Sequence, residues 1–406
     1  MKYVLSELPP RLGGLDMLMP IFLEMKRYHS VYIEVIILET ELKAQLEKDI
    51  YLLNQFRSCV DRITFFDKQL VRVNTFAPFS KAQNIFRLVS LFIRILFGKS
   101  APTFLHASSF NSKLTKLLSL LIKFRGGITI GHFRLMAGGR LLDENVNASP
   151  GSSHKSVSKS FDGYNLVEEL YGDHFLVFNI DNVESWNPES KEKCVEVGYT
   201  RVYWSWTEKL KRDAAFHREN SSWFPDFKGT QPFSLIYLPS TLKNVFDEEE
   251  LEDWLTEIIP VIAEKFPDSA IVLKPHPMQK MAVVEKVVSK FSKFQCLVSF
   301  VHPGLLAAAA RLVVSHHSTT IIDAMALNVP VIHHQKYTGH WMERHPSGPA
   351  LLDYGQIKTS DIRTFAAELD NTTCITSSRD SLIKNMNHCD KIENLFKIMG
   401  IPRKYD

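Results

Sequence analysis

The feature that most constrains this chain is an alternation, run through twice, of short apolar segments with longer amphipathic ones. Met1–Glu7 reads as a strand. YIEVIILE (Tyr32–Glu39) is continuously apolar, as in a strand buried on both faces of a sheet. RITFFD, PTFLHAS and GGITIGHFR follow as strands. Helical patterns separate them: MLMPIFLEMKRY with Asp16 as its cap, a segment ending about Phe56, residues 84–97, and Asn111–Phe124. After a polar loop (Leu141–Ser160), HFLVFNID and CVEVGYTRVYW read as two further strands. A second alternation starts near Pro232 and ends in RLVVSHH, a helix in STTIIDAMALN begun by Ser318 or Thr319, and VPVIHH. Strands alternating with helices in this way predict parallel, doubly wound sheets, and 406 residues exceed one ordinary core, so two such domains are expected.

Composition narrows the function classes. Hydrophobic content of 45% and charged content of 23% are those of a globular protein. A net charge of +3 is too mild to argue for nucleic acid, and no basic cluster carries interleaved aromatics. Cys59, Cys194, Cys296, Cys374 and Cys389 are far apart and form no C-x-x-C pair, which predicts free thiols in a reducing compartment. MKYVLSELPPRLGG lacks the form of a signal peptide, and no run reaches the roughly 20 apolar residues of a membrane span, so a cytoplasmic protein is expected. NIFRLVSLFIRILFGKS has Arg87 and Arg94 on one face of an otherwise apolar helix. Two readings stand: an interfacial helix in peripheral contact with a membrane through residues 84–97, or a core helix whose arginines reach solvent or an acid.

The chemistry collects where strands end. RLVVS delivers Ser315, His316 and His317 to a sheet edge, and Ser318, Thr319 and Thr320 then open a helix. A helix start offers unpaired N–H groups and partial positive charge, which suits a phosphate or diphosphate. Asp323, one turn on, is placed to accept from ribose hydroxyls. In LKPHPMQ, Pro275 and Pro277 fix the backbone and present Lys274 and His276 at the same edge, one as a point charge for phosphate and one as a donor. Ser240 in IYLPST ends the first strand of this half. No metal is expected. Adjacent histidines, 316/317 and 333/334, point to opposite sides of an extended chain, and no H-x-E-x-x-H or C-x-x-C framework is present.

A strand ending in K-P-H-P, followed by S-T-T-x-x-D-A-M-x-L-x-V-P-V-I, resembles the donor-binding half of GT-B-fold enzymes across residues 232–335. It is similar to capsule and lipopolysaccharide glycosyltransferases and to CDP-glycerol glycerophosphotransferases. It is also similar to UDP-N-acetylglucosamine 2-epimerases, whose matching segments are an H-P loop and S-G-G-x-x-E. The resemblance implies two Rossmann-like doubly wound domains facing across a cleft. Residues 1–228 would bind the acceptor, 229–385 the nucleotide donor, and 386–406 would form a helix packing back on the first domain. His276 would lie near the diphosphate, Ser318, Thr319 and Thr320 on phosphate oxygens, and Asp323 in the ribose role. Here Thr-Thr replaces Gly-Gly and Asp replaces the commoner Glu, so backbone and acid both approach the ligand less closely.

In such a fold the acceptor side falls to PPRLGGLD, with Gly13, Gly14 and Asp16, and to the strand-end residues Glu7, His106 and His132. An inverting transfer needs a base for the acceptor proton, for which Asp16 is first choice and His132 second. Arg134 and Arg140 would meet an anionic ligand, and His340, Glu343, Arg344 and His345 form a secondary candidate site. The expectation is a metal-independent glycosyltransferase, moving a sugar from a CMP-, UDP- or similar donor to a bacterial surface glycan or lipid-linked acceptor. Its rivals are glycerophosphate transfer, 2-epimerisation, and a catalytically silent nucleotide- or glycan-binding protein.

Overall fold

The computed structural model describes residues 1–8, 12–28, 30–38, 42–43, 46–47, 49–66, 78–106, 113–132, 172–177, 191–220, 233–239, 248–276, 279–316, 320–334, 357–359, 361–371 and 389–401. They fall into two units. The first gathers the elements from Lys2 to Ser205 and the last helix of the chain, and the second those from Trp206 to Asn371.

The first unit holds β1 (Lys2–Glu7), α1 (Leu12–Tyr28), β2 (Val31–Ile37), α2 (Ile50–Cys59), β3 (Arg62–Phe65), α3 (Pro78–Phe97), β4 (Thr103–His106), α4 (Lys113–Phe124), β5 (Ile128–Gly131), β6 (His174–Val177) and β7 (Cys194–Glu196). All strand pairs are parallel, in the spatial order β3-β2-β1-β4-β5-β6-β7. The helix α5 (Trp204–Asn220) crosses from the first unit to the second.

The second unit repeats the plan: β8 (Phe233–Tyr237), α6 (Glu248–Lys265), β9 (Ile271–Lys274), α7 (Met281–Lys290), β10 (Cys296–Val298), α8 (Pro303–Ala309), β11 (Ala310–Ser315), α9 (Ile321–Ala326), β12 (Val331–His334), β13 (Ile357–Thr359) and α10 (Ile362–Asn371). Its parallel order is β10-β9-β8-β11-β12-β13. The last helix, α11 (Cys389–Ile398), belongs to the first unit, where Lys391 pairs with Glu196 of β7 and the Thr103 hydroxyl donates to the carbonyl of Met399. The doubly wound parallel class read from the sequence is therefore what the chain forms, twice.

Apolar spacing explains the helices. In α6, Leu251, Trp254, Leu255, Ile258, Ile259 and Ile262 recur on one face and pack on the strands Ile236, Ile271 and Leu273, while Glu248, Glu249 and Glu250 occupy the first turn, where the helix dipole favours negative charge. In α1 the buried series Leu15, Leu18, Met19, Phe22, Met25 has the same period. That series begins before Asp16, so the helix starts at Leu12, with Gly13 and Gly14 in its first turn. Asp16 is not the cap the sequence suggested but lies buried inside the helix, where Pro20 brings no N–H to its carbonyl. CVEVGYTRVYW is likewise not one strand. It stops at Glu196 because Gly198 takes φ +68°, and a 3-10 turn (Thr200–Val202) leads into α5.

Two local devices hold the elements at their angles. Glu34 is the one carboxylate in β2 and is fully buried. Its oxygens accept from Tyr3 Oη (2.9 Å), Thr64 Oγ1 (3.0 Å) and both Nε (2.9 Å) and Nη2 (2.6 Å) of Arg94, while Arg87 donates to the Phe65 carbonyl at 2.9 Å. The arginine stripe of α3 thus faces the sheet and ties the helix to three strands. In the second unit Asn328 takes φ +73°. Its N–H reaches the Met325 carbonyl (3.1 Å) and that of Val329 the Ala324 carbonyl (3.0 Å), which closes α9 before Pro330.

Replacing Arg94 with Met should cost about 3–5 kcal/mol in urea unfolding, because the Glu34 carboxyl would stay buried without the guanidinium fork, and adding Glu34→Leu to that variant should recover most of the loss. An undiminished loss in the double variant would contradict this account. Asn328→Gly should be near neutral and Asn328→Val should cost about 1–2 kcal/mol, since only the second puts a branched side chain in the left-handed region.

Candidate functional site

In a doubly wound sheet the crossover helices leave to opposite faces at the point where the strand order reverses. That opens a crevice at the carboxyl ends of the two strands flanking the reversal. In the second unit the reversal lies between β8 and β11. The sheet register aligns Lys274, Tyr237, Ser315 and His333 in one row across four strand ends. Tyr237 Oη donates to the Pro303 carbonyl (2.9 Å), and Lys274 Nζ donates to that of Phe300 (3.0 Å). Ser315 and His316 are fully buried, and the His316 ring stands edge-on to Trp254 at 5.7 Å.

The histidines of this edge are engaged one by one. His333 Nε2 meets the His316 carbonyl, and His334 Nδ1 shares a hydrogen bond with Thr359 Oγ1 (2.8 Å) while its ring packs 5.0 Å from Phe365. Among the described residues, no group of three or more His, Cys, Asp or Glu is placed to hold a metal ion.

Of the residues assigned to a donor from the sequence, Lys274, Ser315, Thr320 and Asp323 stand at or just beyond this edge. Thr320 is the N-cap of α9, with helical dihedrals and no capping bond from its side chain, and its carbonyl takes the N–H groups of Asp323 (3.1 Å) and Ala324 (3.3 Å). Asp323 is buried in the first turn of that helix. His276 is partly exposed, and its carbonyl accepts the Gln279 N–H (2.8 Å). Ser240, Pro277, Ser318 and Thr319 lie outside the described residues, as do Arg134 and the segment from His340 to His345.

In the first unit the reversal falls between β1 and β4, and their carboxyl-end residues are Glu7 and His106. Glu7 is buried, its side chain accepts from Thr115 Oγ1 (2.9 Å), and its carbonyl accepts from His132 Nε2 (2.9 Å). The backbone N–H of His132 in turn reaches the His106 carbonyl at 3.0 Å. A Cβ at Gly131 would come within 2.8 Å of the Phe175 ring and 3.4 Å of His106, so glycine lets the two rings close on that strand end. Three of the sequence candidates, Glu7, His106 and His132, are therefore brought together, with Asp16 in the helix that follows β1. Gly13 and Gly14 fall in the first turn of α1 rather than in a loop.

The sequence reading missed Thr115 and Tyr237. The signal for Thr115 was present: it shares one helical face with Leu118, Ser119 and Ile122, all buried, so a hydroxyl there needed a partner inside. Tyr237 ends a wholly buried strand, where a phenol must also be satisfied.

Burial, and for His106 the nearby His132, hold the imidazoles at about 3 (His106) and about 4 (His132), against an ordinary 6.5. Both rings are neutral at pH 7. With Nε2 of His132 committed as a donor to a carbonyl, only its Nδ1 can take a proton. A general base works best with a value near the operating pH, so His132 in this buried state is a weak one.

No family model and no curated protein matches the chain. Solved structures do. UDP-GlcNAc 2-epimerase from Neisseria meningitidis, bound to UDP-GlcNAc, matches with a TM-score of 0.55 over 98% of this chain and 99% of that one, at 14% identity. A putative UDP-N-acetylglucosamine 2-epimerase from Listeria monocytogenes gives 0.54 over 98% and 95% at 10% identity. The Methanocaldococcus jannaschii UDP-GlcNAc 2-epimerase gives 0.53 over 98% and 99% at 14% identity. At these identities the likeness is one of fold, a GT-B-like pair of parallel α/β units.

The buried histidines fix a pH dependence. Below pH 6.5 the unfolded chain protonates them while the folded protein does not until about pH 4, so stability falls on acidification through that window and is constant above it. The slope is at most about 1.4 kcal/mol per pH unit for each imidazole. Urea midpoints at pH 7 and pH 5 should converge more for His132→Gln than for the unaltered protein, and equal slopes would remove His132 from the account.

Proposed function

We propose that this chain is a nucleotide-sugar-dependent glycosyltransferase. The observation that carries the reading is the second unit's strand reversal, where Tyr237, Ser315, His316 and the start of α9 converge at the edge where open α/β sheets bind ligands. The donor diphosphate would lie against the Ser318–Thr320 segment with His276 and Lys274 beside it, and Asp323 would face the ribose. α9 has six residues, so its unpaired N–H groups matter more than a long dipole. Ser240 and Pro277 complete the donor set. The likeness in fold to proteins crystallised with UDP-GlcNAc supports a uridine donor, and CMP- or similar sugars remain in the test.

In the transfer, an acceptor hydroxyl oxygen bonds to the anomeric carbon and the bond from that carbon to the donor phosphate breaks. The nucleotide leaves with the electron pair, and the hydroxyl proton passes to a base. Phosphate charge at the helix start would be stabilised without a metal. Asp16 is the preferred base, because His132 is held low, and Gly13, Gly14 and Arg134 belong to the acceptor side. The acceptor would be a bacterial surface glycan or lipid-linked saccharide, and the enzyme would act in the cytoplasm.

A second reading, 2-epimerisation, is favoured by the length over which the epimerase structures match. Incubation with UDP-GlcNAc and no acceptor separates the two: conversion of the sugar alone means epimerase, whereas nucleotide release that requires a saccharide acceptor means transferase. Thermal shift with CMP, CDP, UDP, GDP and TDP, with and without EDTA, should give one preferred nucleotide and no loss on chelation. A preference for CDP would point to glycerophosphate transfer instead. Thr319→Ala and His276→Ala should each weaken that nucleotide about tenfold or more. Unchanged affinity in both would displace the donor site, and tight binding with no turnover of any kind would make the chain a silent binder.

A further inference from the structure

The arginines of α3 turn inward, so the helix meets solvent with apolar side chains. Phe86, Val89, Ile93 and Phe97 recur along its outer face, with Phe86 73% and Phe97 79% exposed. On α4, Leu120 and Phe124 are also exposed, Phe124 to 82%. The two helices share a core, Leu91 and Ile95 of α3 packing with Leu118 and Ile122 of α4. Their ends are tied together, because Arg125 donates to the carbonyls of Ile95 (3.3 Å) and Gly98 (2.8 Å). Phe97 and Phe124 therefore stand at one end of a single two-helix face.

The segment that forms this face is basic, although Lys123 of α4 pairs with Asp173 (2.9 Å). From Lys68 to Leu142 the sequence has 12 Lys or Arg and no Asp or Glu, while the rest of the chain has 36 and 45. The overall +3 thus conceals a segment of +12 set against −9 elsewhere. Lys99 and Lys113 are exposed at the ends of the two helices and Lys116 is partly so.

We infer that this face docks on the surface of an anionic phospholipid bilayer, with the aromatic and aliphatic side chains seated in the headgroup boundary and the lysines on lipid phosphates. Apolar side chains rimmed by basic ones fit that occupant. A second copy of the chain fits less well: a two-fold contact sets a patch against itself, and here it would bring a wholly basic segment against another. No helix among the described residues is long and apolar enough to cross a membrane, so the contact is peripheral. The inference deepens the proposal of a lipid-linked acceptor but is tested apart from it.

The test is co-sedimentation of the full chain with vesicles of phosphatidylcholine alone and of phosphatidylcholine with phosphatidylglycerol. Binding is expected on the mixed vesicles, falling with added salt. Phe86→Ser with Phe97→Ser should lower partitioning about tenfold or more, and Lys99→Glu with Lys116→Glu about fivefold or more. These side chains are at the surface, so the variants should keep the melting temperature and nucleotide response of the unaltered protein. That response separates failure here from failure of the functional proposal. No binding by the unaltered chain, equal binding to both vesicle types, or unchanged partitioning of the phenylalanine variant would overturn the inference. So would a dimer in solution that Phe86→Ser with Phe97→Ser dissociates, which would assign the face to a second copy.

Discussion

Everything at the two candidate edges depends on one constraint: parallel neighbours cannot be joined by a tight turn, so each strand must be followed by a crossover, and the winding must reverse somewhere. Both sheets reverse after three strands, beside β1 in one unit and β8 in the other. That is the place where open α/β sheets bind ligands, and in this chain Glu7, His106, Tyr237 and Ser315, which occupy it, are buried. The chain uses the two places differently. At the second, Tyr237 and Ser315 stand in register and Thr320 caps α9, and the proposed donor site rests on these residues. Glu7, His106 and His132 make the first a buried acid with two neutral imidazoles, knit by Thr115 and by carbonyls. A buried acid with two neutral imidazoles moves a proton only once it is opened or a ligand changes its surroundings.

The Glu34–Arg94 pair shows how a fold decision sets a surface property. A carboxylate in the middle of a parallel sheet is costly unless every lone pair is met, and Arg94, Tyr3 and Thr64 meet them. The guanidinium comes from α3, so the polar stripe of that helix is spent inside. With the next helical face buried against Phe104, Leu118 and Ile122, the outside is left largely to apolar side chains, with Gln83 exposed among them. The exposed Phe86 and Phe97 therefore follow from where Arg94 points. A salt bridge that fixes the helix also dictates what that helix shows to its surroundings.

Element type was legible because the periods were clean. VYIEVII has no helical spacing, and the α6 series has little else. The reversal of strand order was not legible, since a string of alternating elements does not state which strand is central. What failed were the starts. Asp16 carries the composition of a cap, but Leu15 already belongs to the buried face, and packing overrides capping preference. Gly198 read as part of a strand because neighbouring Val and Tyr favour one, while its positive φ is set by the turn into Thr200–Val202. At the candidate site, residue types were legible and partners were not. Lys274 looked like a free phosphate ligand, yet its ammonium rests on the Phe300 carbonyl, and His333 is held by the His316 carbonyl.

That difference bears on how the second edge would work. A lysine already seated on a carbonyl exchanges one acceptor for another when a phosphate arrives, so its net contribution is the difference between two hydrogen bonds rather than the whole of one. The same holds for every engaged group at this edge, and it favours selectivity over raw affinity: a ligand binds well only if it replaces each existing partner at once. An anion with several oxygens in a fixed arrangement does this, and a lone monovalent ion does not. If the proposed donor site lies at this edge, Lys274 would adjust to the ligand once it is held.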